Sequence, residues 1–338
     1  MIIAVLLFAV GLICLIKGGD WFVDGAAGVA EKFKVPDLLI GATVVSIGTT
    51  LPELMVSSNS ALSGHGEIAY GNALGSIICN TALIAAITVA VKPGKIDKKT
   101  LKVPIIFFFL AASVYCFAAY VLGSFTRGVG IVLFLMFVAY MTILVKQAIQ
   151  GIKEMEKSKA EGSVKSDEVI DDSKDESKPM WKLIVFLVLG AALIAVGADL
   201  LVDNGTIIAK GLGVPESVIA LTIVALGTSL PELVTAITSL AKGHGALSLG
   251  NICGANLFNM VFVSAVAMIL APFDLPVEKT ISIAGAERNA ALVIDMPVVI
   301  FVMAILAIPA LIKGKLSRWQ GILLLCTYAT YIIFQFVG

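Results

Sequence analysis

The sequence predicts an all-α membrane protein: ten transmembrane helices arranged as two inverted five-helix repeats. Three observations carry that expectation. The 338 residues are 59% hydrophobic and only 14% charged, where a soluble domain averages about 25% charged residues. The apolar runs are roughly 20–25 residues long, enough to cross ~30 Å of hydrocarbon as a helix, and they lack the short alternating segments of a membrane barrel. The hexapeptide Gly48-Thr49-Thr50-Leu51-Pro52-Glu53 returns 179 residues later as Gly227-Thr228-Ser229-Leu230-Pro231-Glu232.

The repeat offset holds without a gap from Asp20/Asp199 to Asn80/Asn259, and 17 of 41 positions are identical between 40–80 and 219–259. Apolar segments fall at 2–30, 38–62, 67–91, 102–122 and 128–149, then at 181–209, 216–241, 246–271, 288–312 and 318–337. The first repeat therefore spans 1–149 and the second 181–338. The opening sixteen residues lack a basic start and a cleavage site of small residues, so they read as a first membrane helix and not as a removable signal. Arg127-x-x-Gly130 and Arg318-x-x-Gly321 match with an offset of 191, so twelve residues separate the lengths of the repeats near the fourth and ninth helices.

Basic residues set the orientation. With the N-terminus outside, nineteen of the twenty-four Lys and Arg lie in or beside cytoplasmic loops, including Lys92, Lys95, Lys98, Lys99, Lys102, Lys313, Lys315 and Arg318. Arg127, Lys210, Lys279 and Arg288 fall outside, and Lys17 lies within the first helix. Both termini are expected outside in a multi-pass protein of the cell membrane. Five is odd, so the second repeat must cross in the opposite sense. Inverted repeats belong to secondary transporters, with the substrate site near the midplane.

The stretch 150–180 carries six Lys and nine Asp or Glu without apolar periodicity, and reads as a disordered cytoplasmic linker. Its acidic cluster matches no Ca²⁺-binding loop spacing. The five cysteines all fall in apolar stretches and read as small hydrophobes. His65 and His244 sit in identical Gly-His-Gly tripeptides and read as turn residues. Asp20 and Asp24, echoed by Asp199 and Asp203, follow long apolar runs and read as helix-end anchors. Asp295 is expected to pair with Arg288 or to face a polar seam.

The chemistry concentrates in the hexapeptides. A carboxylate at the centre of a membrane helix costs roughly 2.5–3.5 kcal/mol on insertion scales, and here it occurs twice. Ser46, Thr49, Thr50, Glu53 and Ser57 share one helix face. Pro52 has no N–H for the carbonyl of Gly48, so the helix should kink there and free carbonyls beside two hydroxyls and a carboxylate. The seventh helix repeats the device with Thr228, Ser229, Pro231 and Glu232, while Ala225 replaces Ser46. The third helix adds Asn72, Ser76 and Asn80, and the eighth adds Asn251, Ala255 and Asn259 with Asn256 alongside. Gly71, Gly75, Gly250 and Gly254 are expected to let backbones approach closely. These are hard oxygen donors without imidazole or thiolate, which select Ca²⁺ or Na⁺ over transition metals. Ca²⁺ suits an irregular cage better than Mg²⁺ does.

Gly-Thr-[Ser/Thr]-Leu-Pro-Glu twice, each followed by a helix with Gly-Asn-x-x-Gly-[Ser/Ala], resembles the two alpha repeats of the sodium/calcium exchangers. These belong to the cation/calcium antiporter superfamily, and the likeness, to its short prokaryotic members, covers all ten helices. It implies that Glu53 and Glu232 are shared Ca²⁺ and Na⁺ ligands and that Thr49 and Thr228 give backbone carbonyls. Ser46, Thr50, Ser76, Asn80 and Asn259, with Ala225 and Ser229, would complete the metal positions. Thr50 stands where Ser is usual, Ala255 where the family commonly has Ser, and Asn259 where some members carry Asp.

The sequence reading is therefore a Ca²⁺ antiporter driven by Na⁺, not an enzyme, with Ca²⁺ and Na⁺ as transported ions and no cofactor. Its surroundings are the lipid bilayer, with no nucleic acid and no obligatory protein partner. Ca²⁺/H⁺ exchange is the alternative, since a glutamate can itself carry a proton. A passive cation channel fits less well, because conduction needs weak, multiple sites. Gly18-Gly19-Asp20 and Gly197-Ala198-Asp199 also suggest an intramembrane aspartyl protease, but their symmetry leaves no asymmetry for a scissile bond.

Overall fold

The computed structural model of the chain describes residues 2–33, 35–96, 98–160, 178–213, 225–277, 280–283 and 286–337. Within them run α1 (Ile2–Phe33), α2 (Asp37–Thr49), α3 (Leu51–Leu62), α4 (Gly66–Val91), α5 (Lys98–Phe117, extended by a wide turn Ala118–Leu122) and α6 (Arg127–Ala160). After the linker come α7 (Met180–Gly211), the short α8 (Ala225–Gly227), α9 (Leu230–Ala241), α10 (Gly245–Leu270), α11 (Ala291–Lys313) and α12 (Arg318–Val337). Among the described residues seven helices are long and apolar enough to span a bilayer, and an eighth if α2 and α3 are counted as one bent span. The first part of the expected seventh helix, 216–224, lies outside the described residues.

One correction concerns the end of a helix. The linker was expected from residue 150, but α6 continues to Ala160. Residues 151–160 include three Lys and two Glu, whose helix propensity extends a helix already nucleated in the membrane. Residues 161–177 lie outside the described residues. The spans are all α-helical, as expected, and four short strands lie in the loops between them. β1 (Ser124–Phe125) pairs antiparallel with β2 (Phe273–Asp274), and β3 (Thr280–Ile283) forms a hairpin with β4 (Ala286–Asn289).

The hairpin explains the difference in repeat length. The connection between α4 and α5 has six residues, 92–97, while that between α10 and α11 has twenty, 271–290. The helix that follows is 25 residues in the first repeat (98–122) and 23 in the second (291–313), which leaves the net twelve.

At one end of the bundle Lys95 faces Lys315 across an isolated bridge, the Ile96 N–H donates to Gly314 and the Leu316 N–H to Gly94. At β1–β2, Ser124 faces Asp274 and the Leu275 N–H donates to Gly123. These are the same contacts with the repeats exchanged. Gly123 and Gly314, both at φ +65°, make the two equivalent left-handed turns that a β-carbon would strain.

Among the described residues the helices bury two main apolar regions and a small third cluster of Ala61, Ala69 and Ala267. Leu15, Phe22, Val23 and Ala26 of α1 pack with Leu183, Ile194 and Ala198 of α7. A β-carbon on Gly11 or Gly18 would come within 2.9 Å of the Gly197 or Gly190 carbonyl, so these two helices meet backbone to backbone. The larger region joins α4, α5, α6, α10 and α11 around Tyr115, Tyr140, Phe108 and Phe258.

Candidate cation site

The site grows out of the two Pro-Glu turns. Thr50 interrupts the first span at φ −88°, ψ 0°, and Ser229 the second at φ −89°, ψ 3°. Each is followed by a helix with Pro near its first turn, where the missing N–H does least harm. The α2–α3 bend is 45°. Glu53 and Glu232 lie in the first turns of α3 and α9 and are fully buried, near the positive ends of those half-helices.

Neutral groups gather around them. Ser76 Oγ donates to Glu53 Oε1 at 3.4 Å. The Ser46–Thr49 segment of the first repeat's kink packs against α9, the helix that carries Glu232. Thr49 Oγ1 donates to Asn251 Oδ1 at 3.2 Å, and Ser46 Oγ reaches the Gly41 carbonyl at 2.7 Å and the Asn251 carbonyl at 3.0 Å. Asn72 Nδ2 donates to the Glu53 carbonyl at 3.1 Å and to Ser57 Oγ at 2.8 Å, bracing α3. Close approach makes this geometry possible. A β-carbon on Gly254 would fall 2.2 Å from Ser46 Oγ, and one on Gly250 2.2 Å from the Leu38 carbonyl. Gly71 and Gly75 meet nothing among the described residues; their repeat-related partners lie mostly outside them.

Ser46, Thr49, Thr50, Glu53, Ser76, Asn80, Ser229, Glu232 and Asn259 are all buried, and Thr228 is half-buried. Ala225 begins α8, and its side chain lies outside the described residues. Many of these oxygens lack a hydrogen-bond partner among the described residues: Thr50 Oγ1, Glu53 Oε2, Ser229 Oγ, both Glu232 oxygens, and the amides of Asn80 and Asn259. Native proteins leave few buried polar atoms unsatisfied. A set of acceptor oxygens converging on two carboxylates is what a desolvated cation requires. The Asn80 and Asn259 positions each begin a wide helical turn, Asn80–Ala85 and Asn259–Val263, a feature frequent at functional sites. Among the described residues no three His, Cys, Asp or Glu converge, in keeping with a site of few charges.

Sequence reasoning missed Thr235 and Ser239, both fully buried and unpartnered, one and two turns beyond Glu232 on α9. Their spacing of three and seven from Glu232 carried the signal. Asn256, placed alongside the site from sequence, donates through Nδ2 to Thr81 Oγ1 at 2.7 Å and reaches Met303 Sδ at 3.2 Å, while its buried Oδ1 has no partner among the described residues. His65 and His244 do precede helices as expected, with His244 Nδ1 2.8 Å from Asp37. Asp20 and Asp24 share Lys242, at 3.3 and 2.7 Å. Asp295 accepts from Tyr331 and Gln335 on α12, so the polar-seam expectation describes it.

Fold and site together define a helical membrane protein with a buried, oxygen-lined candidate cation site on two related kinks. The chain belongs to the sodium/calcium exchanger protein family, which it matches over residues 3–146 and 182–337. It is 30% identical to the sodium/calcium exchanger MaX1 of Methanosarcina acetivorans, covering 98% of both chains. It is 32% identical to the putative antiporter CaxA of Alkalimonas amylolytica, again over 98% of each. Its fold is similar to that of the sodium-calcium exchanger NCX_Mj soaked with Na⁺, with a TM-score of 0.78 and 30% identity over 98% of each chain. The family is one of membrane transporters that exchange cations.

Proposed function

We propose that the chain exchanges Ca²⁺ for Na⁺ by alternating access at Glu53 and Glu232. The observation that carries this reading is the pair of fully buried carboxylates on two repeat-related kinks. The charge of the site supplies the mechanism. One Ca²⁺ or several Na⁺ neutralise two carboxylates, whereas an empty, doubly negative site is too costly to carry through a low-dielectric barrier. Only occupied states change access, so exchange is obligatory. Thr49 and Thr228 offer backbone carbonyls, and Ser46, Thr50, Ser76, Asn80, Ser229 and Asn259, with the Ala225 position, complete the cation sites.

The same proposal includes ten spans in two inverted repeats, 1–149 and 181–338. The exchanged loop contacts favour inversion. The α4–α5 loop meets the α11–α12 loop, whereas parallel repeats would bring it beside the α10–α11 loop. With nineteen basic residues against four, the linker between α6 and α7 is cytoplasmic and both termini are outside. Single cysteines at Ser163 and Gly338, treated with an impermeant thiol reagent on intact cells, should be modified only at Gly338; labelling at Ser163 reverses the orientation.

The functional test is uptake of radiolabelled Ca²⁺ into Na⁺-loaded vesicles, with and without an outward Na⁺ gradient and a protonophore. Uptake should require the Na⁺ gradient and survive the protonophore. Uptake indifferent to Na⁺ and abolished by the protonophore would mean H⁺ coupling. Uptake without either gradient would mean a channel.

A further inference from the structure

The α1–α7 pair does not sit evenly between the two repeats. Both helices pack on α9 and hardly touch α3, its repeat counterpart. On α9, Val234 and Thr238 lie against Gly19 of α1: a β-carbon there would fall 2.6 Å from Val234 Cγ1 and 2.9 Å from Thr238 Oγ1. At the offset of 179 their counterparts on α3 are Met55 and Asn59. Met55 is 60% exposed, and Asn59 is exposed as well. One half-helix is covered by α1 and its twin is bare.

Ion pairing is unequal in the same sense. Lys242, just past the end of α9, reaches Asp24 at 2.7 Å and Asp20 at 3.3 Å, and donates to the Asp20 carbonyl at 3.0 Å. Its ammonium therefore has three acceptors on α1. The acidic pair returns on α7 as Asp199 and Asp203, but the lysine does not return: Ser63 stands in its place. Both aspartates of α7 are exposed. Backbone geometry does not account for the difference, since Ser63 at φ −83°, ψ 3° and Lys242 at φ −81°, ψ 0° leave their helices alike. Between Glu232 and this end α9 runs unbroken for about 15 Å. Whatever fastens that end to α1 also fastens the helix that carries the carboxylate.

We propose that Lys242 is a positioning residue, a latch that holds α9 to α1 through Asp20 and Asp24 and weights the protein toward the state closed at the Lys242 end. The latch rests on the alternating-access reading, under which contact of α7 with α3 closes the other end. That second contact has no lysine to hold it, so the two states are latched unequally. Ion pairs between partly exposed groups contribute little, and the bias expected is about fivefold or less.

The test is hydrogen–deuterium exchange of the full chain in nanodiscs, which reports how readily a segment opens. Lys242→Ser, which copies the first repeat, should speed exchange in 233–241 of α9 and slow it in 54–62 of α3, each by about twofold to fivefold. Ser63→Lys, which offers Asp199 and Asp203 an ammonium, should move both segments the same way. In each variant the segment far from the substitution is the one that a merely local role would leave unmoved. Lys242→Arg keeps the charge and should hold both segments at the wild-type rate. If Lys242→Ser does not fold, the double change Asp20→Asn with Asp24→Asn takes its place, with the same shifts expected. Failure of either remote shift overturns the latch. The readout needs no transport, so absent Na⁺-driven Ca²⁺ uptake counts against the exchange reading, and absent remote shifts count against the latch.

Discussion

The two halves of the cation site agree in charge and differ in neutral polarity. Glu53 and Glu232 are both fully buried, each just beyond a residue at φ near −90° and ψ near 0°. Around them the first repeat has Ser46, Ser57 and Ser76 where the second has Ala225, Ala236 and Ala255. The second repeat has polar groups elsewhere: Thr235, Ser248 and Asn256 stand where the first has Val56, Ala69 and Ile77. Asn72 braces its own repeat through Glu53 and Ser57, while its counterpart Asn251 accepts from Thr49 of the other repeat. Carboxylates provide most of the attraction for a desolvated cation, so a symmetric transport cycle needs both. Hydroxyls contribute on the order of 1 kcal/mol each, and their distribution can drift.

The comparison breaks most readily at the glutamates. Glu53→Gln and Glu232→Gln should each abolish Ca²⁺ exchange while the protein still folds and inserts. Removing one member of a buried charged set costs about 3–5 kcal/mol, about a hundred-fold or more in Ca²⁺ affinity. Exchange at near wild-type rate in either variant would sink the assignment.

A smaller effect separates the two asparagines. Asn72→Ala leaves the Glu53 carbonyl and Ser57 without their shared donor, and should lower stability by about 1–3 kcal/mol. Asn251→Ala removes one acceptor from a Thr49 hydroxyl that also reaches the Ser46 carbonyl at 3.5 Å, and should lower it less. Thermal unfolding of both variants decides; equal losses would mean that the repeats are braced alike.

Ala255→Ser restores the hydroxyl that Ser76 directs at Glu53. Ala255 is fully buried, so a hydroxyl there adds an oxygen inside the protein. It should lower the Na⁺ concentration for half-maximal Ca²⁺ release about fivefold or less, with little change in Ca²⁺ affinity. An unmoved Na⁺ dependence, or an equal shift for Ca²⁺, would show that Ala255 does not face a Na⁺ position. Smallest of all, Thr50→Ser and Ser229→Thr keep both hydroxyls, and exchange should stay within about twofold. A larger loss would reveal a role for the Thr50 methyl group.

Much of this molecule was legible in the amino-acid order. Hydrophobic run length specifies membrane helices because the bilayer core has a set thickness. A Pro-Glu pair in such a run specifies a bend and a buried charge, because the missing N–H and the desolvated carboxylate act locally. The duplication located the second glutamate from the first, and the twelve-residue offset pointed to the region of the β3–β4 hairpin.

Tertiary structure alone decided what meets what across the repeats. Asn251 and Asn256 are five residues apart, yet one reaches Thr49 and the other Thr81, since the neighbouring helix determines which polar face has a partner. Lys242 is one basic residue among twenty-four until α1 brings Asp20 and Asp24 to it. Gly94 and Phe273 sit in matching loops, but only packing shows that the ring fills one end of the bundle and its absence opens the other. Local chemistry follows from neighbours in the chain, whereas a cavity or a charge pair depends on segments hundreds of residues apart, whose distance no local pattern records.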